Sequence, residues 1–209
     1  MDRLFADRAE AGELLAERLG HIHAPVVLAL PRGGVAVAVP VARALDAELD
    51  VLVTRKIGYP PFPEMGVGAI AEGGEPVFDL TLLHRLGLTP GSLSDVVDRE
   101  QRELARRVQA YRGDRPLPEL AGREVVVVDD GLATGVTARA ALRAVAAAGP
   151  GRVTLAVPVG APDTVLAMRD EADEVIVLST PMDFRAVGQW YERFDQLSDA
   201  DVLDLLAER

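Results

Sequence analysis

Four consecutive valines, Val125 to Val128, run into Asp129-Asp130 and then into Gly131-Leu132-Ala133-Thr134-Gly135-Val136-Thr137. A β-branched run without polar alternation predicts a strand covered on both faces, hence a central strand of a parallel sheet. Acids at the carboxyl end of such a strand stand where open α/β sheets place their ligands. Gly131 and Gly135 permit a tight turn and close backbone approach, and the first amides of the helix that follows point into the loop. Thr134 and Thr137 add hydroxyl donors. An anion cradle beside two carboxylates suits a ligand carrying both phosphate and hydroxyls, as a ribose 5-phosphate does.

The rest of the chain reads as elements around that strand. Asp7 with Glu10 is a capping-box-like start of a helix that ends at Gly20. Val26–Leu30 predicts a short buried strand, residues 35–45 a helix despite Pro40, and Asp50–Thr54 a second strand running into Arg55-Lys56. Ile57–Gly66, with three prolines and two glycines, reads as a loop. Short extended pieces follow at Val67–Ala71 and Glu75–Phe78, then a long helix over Ser92–Tyr111 laced by Asp95–Arg99, Asp98–Arg102 and Glu103–Arg107 pairs. Beyond the valines a helix is expected over Thr134–Ala148, strands at Val153–Val159 and Val175–Leu178 around a helix near Pro162–Asp170, and a last helix over Asp199–Ala207. This alternation predicts a doubly wound, mainly parallel α/β sheet with helices on both faces. At 209 residues we expect a core over 1–180, with a helical insertion at about 80–115, and a small subdomain over 181–209.

Composition removes several function classes. There is no Cys, so disulfides, thiol catalysis and thiolate metal sites are excluded. A net charge of −11 argues against a nucleic-acid-binding face, and no apolar run is long enough to span a membrane. The first residues carry no basic-then-apolar signal, which makes the cytoplasm the expected compartment. His21 and His23 lack a neighbouring carboxylate cluster in sequence, so no resident metal site is expected. No G-x-S-x-G, Walker-type loop or G-x-G-x-x-G occurs. A phosphorelay receiver also begins with two acids after a strand, but requires a later Lys, and none follows Asp130.

The segment Val125–Thr137 closely resembles the ribose-phosphate signature of the type I phosphoribosyltransferases. The resemblance implies transfer of the ribosyl phosphate of phosphoribosyl pyrophosphate (PRPP) to a nitrogenous, nucleobase-like acceptor, with Mg²⁺ bound alongside PRPP and release of pyrophosphate. Carried over by position, Asp129 and Asp130 would hold the ribose hydroxyls, and Gly131, Leu132, Ala133, Thr134, Gly135 and Thr137 would wrap the 5-phosphate. Pro31-Arg32-Gly33-Gly34 falls where the family has its pyrophosphate loop, often with a non-proline cis peptide. Arg32 can chelate phosphate bidentately, and the glycines allow close approach.

Lys56 is the sole Lys among 22 cations, which points to a position needing a compact ammonium beside the departing pyrophosphate. Arg55-Lys56 followed by Ile57–Gly66 resembles the family's flexible catalytic loop, in which Glu64 would order Mg²⁺ or orient the acceptor. The segment after Pro181 has the position of the family's acceptor-binding hood, with Phe184 and Trp190 as its candidate stacking faces, or else as plugs packing it onto the core. The 72 residues between Lys56 and Asp129 exceed the simplest family pattern, hence the expected insertion. A homodimer is expected only by analogy. Two other functions stay open on sequence: a regulator that binds PRPP without transfer, and hydrolysis with water as acceptor.

Overall fold

The computed structural model describes residues 4–208. Five strands, β1 (Val26–Ala29), β2 (Glu48–Val51), β6 (Glu124–Val128), β7 (Arg152–Val159) and β8 (Glu174–Ser179), form one wholly parallel sheet in the order β2-β1-β6-β7-β8. The valine strand is its centre. Val126 and Val128 enter one apolar cluster with α1 (Arg8–Arg18) and α2 (Gly33–Ala44), whereas Val125 and Val127 enter another with α5 (Val136–Ala147) and α6 (Pro162–Met168). Successive side chains of a strand point to opposite faces, so an unbroken apolar run is what a sheet covered by helices on both sides demands. The fold is the expected doubly wound α/β arrangement.

The largest departure concerns residues 57–66. They do not form a loop: β3 (Thr54–Tyr59) and β4 (Phe62–Ala71) pair as an antiparallel hairpin, and β5 (Val77–Phe78) completes a second, three-stranded sheet. The prolines fit because they avoid the ladder. Pro60 and Pro61 make the tip, and Pro63 lies in the irregular stretch between the Tyr59–Phe62 and Gly58–Gly66 pairs. The second core strand likewise ends at Val51 instead of at Thr54, because Thr54 already belongs to the hairpin.

Helix starts also shift. Helix α2 begins at Gly33, two residues earlier than expected, and keeps Pro40 inside it. Helix α5 begins at Val136 because Gly135 turns the chain with φ of +74°. The expected insertion spans α3 (Leu80–Arg85), a 3₁₀ turn over Pro90–Leu93 capped by Thr89, and α4 (Ser94–Arg112). Of the three expected acid–base pairs along α4, the hydrogen-bonded one among the described contacts is Glu103–Arg107, at 3.0 Å. Val96 and Leu93 pack with Ile57, Val67 and Ile70, so the insertion covers the hairpin. After Pro181 the chain passes through a 3₁₀ turn at Val187–Trp190. It then returns as α7 (Asp199–Ala207), whose Val202 and Leu206 join the cluster of α1 and α2.

Candidate active site

The site is assembled where two adjacent strand ends meet a pair of glycines. Asp129 and Asp130 leave the carboxyl end of β6, and the Pro31–Gly34 turn leaves the adjacent β1. The Pro31–Arg32 peptide is cis. A Cβ on Gly33 would stand 1.9 Å from Oδ2 of Asp130, and one on Gly34 would stand 2.8 Å from the Val128 carbonyl oxygen. Both positions therefore demand glycine on packing grounds, and both bring the first turn of α2 against the acid pair. In that turn the Gly34 amide donates to the Leu30 carbonyl at 3.1 Å and the Val35 amide to the Arg32 carbonyl at 3.2 Å, which leaves the Gly33 amide as the donor without a described partner.

The 131–137 loop is tied down from the other side. Leu132 bridges to Gly160, its side chain is buried in the core, and the Thr164 hydroxyl donates to the Ala133 carbonyl at 2.7 Å. Ala133 and Thr134 are exposed, Thr137 is half-buried, and Gly135 swings the chain into the first turn of α5. Leu132 thus serves through its backbone alone. A Cβ on Gly131 would lie 2.5 Å from Cγ1 of Val187, so the segment after Pro181 is seated on the cradle itself.

Burial sets the electrostatics of the pair. It pushes the Asp129 carboxyl well above the usual range, with the Asp130 charge adding to the rise. Asp130 is also pushed up by burial, but the Arg8 guanidinium opposes it. Asp129 accepts from the Asp130 amide at 2.8 Å, and Asp130 accepts from Nε of Arg8 at 2.9 Å. Both carboxyls are therefore raised, Asp129 the more, and Arg8 limits the rise at Asp130.

The other expected residues gather elsewhere. Arg55 donates twice to Oε2 of Glu100 on α4, at 2.9 and 2.7 Å, and is committed to the insertion. The Lys56 ammonium donates to the Glu64 carbonyl at 2.9 Å, across the hairpin. With Arg99 and Pro63 they line a cleft of about 310 Å³. No described contact joins Arg55, Lys56 or Glu64 to the acid pair. Arg32 reaches away from the pair, its Nη1 lying 3.9 Å from Asp199 at the start of α7. Trp190 is 7% exposed, packed with Phe5, Val159 and Tyr191, and Phe184 is half-buried against the same cluster. Trp190 presents no free face for stacking.

The match to a family model is decisive for the class of protein. The phosphoribosyl transferase domain matches residues 2–190. The chain belongs to that family. A Mycobacterium tuberculosis protein with a provisional phosphoribosyl transferase name is 47% identical over 207 residues, which is 98% of this chain and 46% of that protein. The chain thus spans about half the length of the curated relatives it matches. The crystal structure of TT1426 from Thermus thermophilus superposes with a TM-score of 0.82 at 47% identity, covering 98% of each chain. A purine phosphoribosyltransferase from Pyrococcus horikoshii shares the fold, at a TM-score of 0.52 and 18% identity, over 95% of this chain and 99% of that one.

Within this phosphoribosyl transferase domain, sequence reasoning missed the residues that reach the acid pair from far along the chain. Arg8 comes from α1, and Tyr191 donates its hydroxyl to the Asp130 carbonyl at 2.6 Å. The Phe194 ring lies beneath the Arg8 guanidinium, 3.9 Å from it. The only signal for them was the cluster of aromatics near residue 190, which marked the segment and not the members that matter. Among the described residues no group of three or more acids and histidines forms a metal cage.

Proposed function

We propose that this chain binds PRPP and transfers its 5-phosphoribosyl group to a nitrogenous acceptor, releasing pyrophosphate. The observation that carries this reading is the contact of the Gly33-Gly34 turn with Asp129 and Asp130. It joins a helix start suited to one phosphate group to a carboxylate pair suited to ribose hydroxyls. The loop over 131–137 lies next to that pair, with α5 behind it, for the 5-phosphate. In this reading Asp129 and Asp130 orient the sugar, residues 131–135 and Thr137 anchor its phosphate, and Gly33, Gly34 and Arg32 receive the pyrophosphate. Mg²⁺ entering with PRPP would offset charge on the leaving group; the protein's own share is positioning and fixed electrostatics.

Arg55, Lys56 and Glu64 act in this scheme only if the hairpin closes over the site, which would also exclude water. Lys56 would then bring the compact ammonium to the pyrophosphate. The hood is best assigned to residues 182–197, since α7 packs on the core. Phe184 and Trp190 remain its candidate acceptor residues only if that segment shifts. The scarcity of a free stacking face favours one second reading, a protein that binds PRPP and performs no transfer.

Pyrophosphate release from PRPP and Mg²⁺ across purine and pyrimidine bases, with a no-acceptor control, tests the proposal. Release with one base supports the transferase and identifies its acceptor. Release without a base indicates hydrolysis. No release alongside confirmed PRPP binding favours the non-transferring reading, and no binding removes the proposal.

A further inference from the structure

Arg8 is the one basic side chain bonded to the acid pair among the described residues, and it is anchored on three sides. Its Nε donates to Oδ2 of Asp130 at 2.9 Å, its Nη1 donates to the Asp195 carbonyl at 2.9 Å, and its plane lies over the Phe194 ring. Its side chain is 11% exposed and that of Asp130 is 16% exposed, so water screens the pair little. The contact with Arg8 uses one carboxylate oxygen, Oδ2, and the Asp130 carboxylate also meets the Asp129 side chain. Arg8 also lines a cleft of about 260 Å³ with Asp7, Ala36, Arg193 and Asp195, beside the start of α2.

We infer that Arg8 is a positioning residue of the sugar site: it fixes the Asp130 carboxylate from behind to meet a ribose hydroxyl, and links that geometry to the segment over 191–195. The inference rests on the PRPP-binding reading above. The charged and titratable groups that face Asp130 are Arg8 from α1, Asp129 from its own strand end and Tyr191 from the C-terminal segment. The start of α2 presents only glycine backbone to the carboxylate. Arg8 is thus the only cation in that set. Burial favours the protonated Asp130, and a protonated carboxyl loses acceptor capacity toward two hydroxyls. Without Arg8 the anion persists only at higher pH.

The test is calorimetric titration of PRPP with Mg²⁺ into the wild-type chain, Arg8→Met, Arg8→Lys and Phe194→Leu, at pH 6 and pH 8.5. PRPP's own protonation is common to all four proteins and cancels in the affinity ratios. Arg8→Met is expected to bind about tenfold more weakly relative to wild type at pH 6 and to approach wild type at pH 8.5. Arg8→Lys should recover most of the loss at pH 6. Phe194→Leu, which keeps both charges and removes the ring that holds the guanidinium, should show the same pH skew at smaller amplitude. It decides the matter if Arg8→Met does not fold. Equal affinities, or a loss of the same size at both pH values, would overturn the inference. Failure of the wild-type chain to bind PRPP would instead overturn the functional reading beneath it.

Discussion

At the scale of single residues, the acid pair is built at a cost to the empty protein. Burial raises the Asp129 carboxyl, so the folded state prefers it protonated. The stabilisation from that proton is complete below the unfolded carboxylate range and is lost as pH rises through the raised, folded value. At neutral pH the folded chain therefore carries a penalty at this position. Asp129→Asn keeps the oxygen that accepts from the Asp130 amide and removes the titration. We expect it to raise the melting temperature at pH 7.5 by a few degrees, with the gain vanishing near about pH 4, while PRPP binding is lost. Scanning calorimetry across pH checks this, and a pH-independent difference would contradict it. The motif over 125–137 was legible in sequence because every part of it is local. Arg8 and Tyr191 were not, since their partner Asp130 lies 122 and 61 positions away in the chain.

At the scale of elements, α1 matters because it delivers Arg8, and its place depends on Gly12. A Cβ there would lie 2.3 Å from the Val37 carbonyl oxygen and 2.5 Å from Cγ of Pro40, so α1 and α2 touch backbone to backbone. Gly12→Ala is expected to cost about 1–3 kcal/mol in urea unfolding by forcing the helices apart, and to weaken PRPP binding; unchanged stability would show that the contact yields. Pro40 inside α2 also becomes intelligible: it lies opposite that glycine. The hairpin was misread because proline-rich composition usually marks a loop, whereas these prolines occupy the tip and the irregular stretch of a paired segment. Lys56 belongs to this element and not to the acid pair, so its role is conditional on movement. Lys56→Arg should lower kcat for pyrophosphate release more than it raises KM for PRPP. Equal kcat would confine Lys56 to its bond with Glu64.

Across the whole molecule, one buried cation joins the insertion to both sheets. The Arg112 side chain at the end of α4 is 1% exposed, pairs with Glu72 after β4 and Asp50 in β2, and donates to the Val51 carbonyl at 3.0 Å. Removing one partner of a buried ion cluster leaves uncompensated charge, so Arg112→Ala is expected to cost about 3–5 kcal/mol in urea unfolding. A loss below about 1 kcal/mol would mean the acids find water. The parallel order of the main sheet followed from the valine run and the strand–helix alternation. The path of the C-terminal segment, over the cradle and back to the core as α7, depends on packing between distant parts of the chain and left only aromatic composition as a trace. What the arrangement does is tested most directly by calorimetric titration of PRPP with Mg²⁺ into the wild-type chain and Asp130→Asn, with both proteins shown to be folded. The account predicts saturable one-site binding to the wild type and severe weakening in the variant. No binding to the wild type, or equal binding to both, would contradict it.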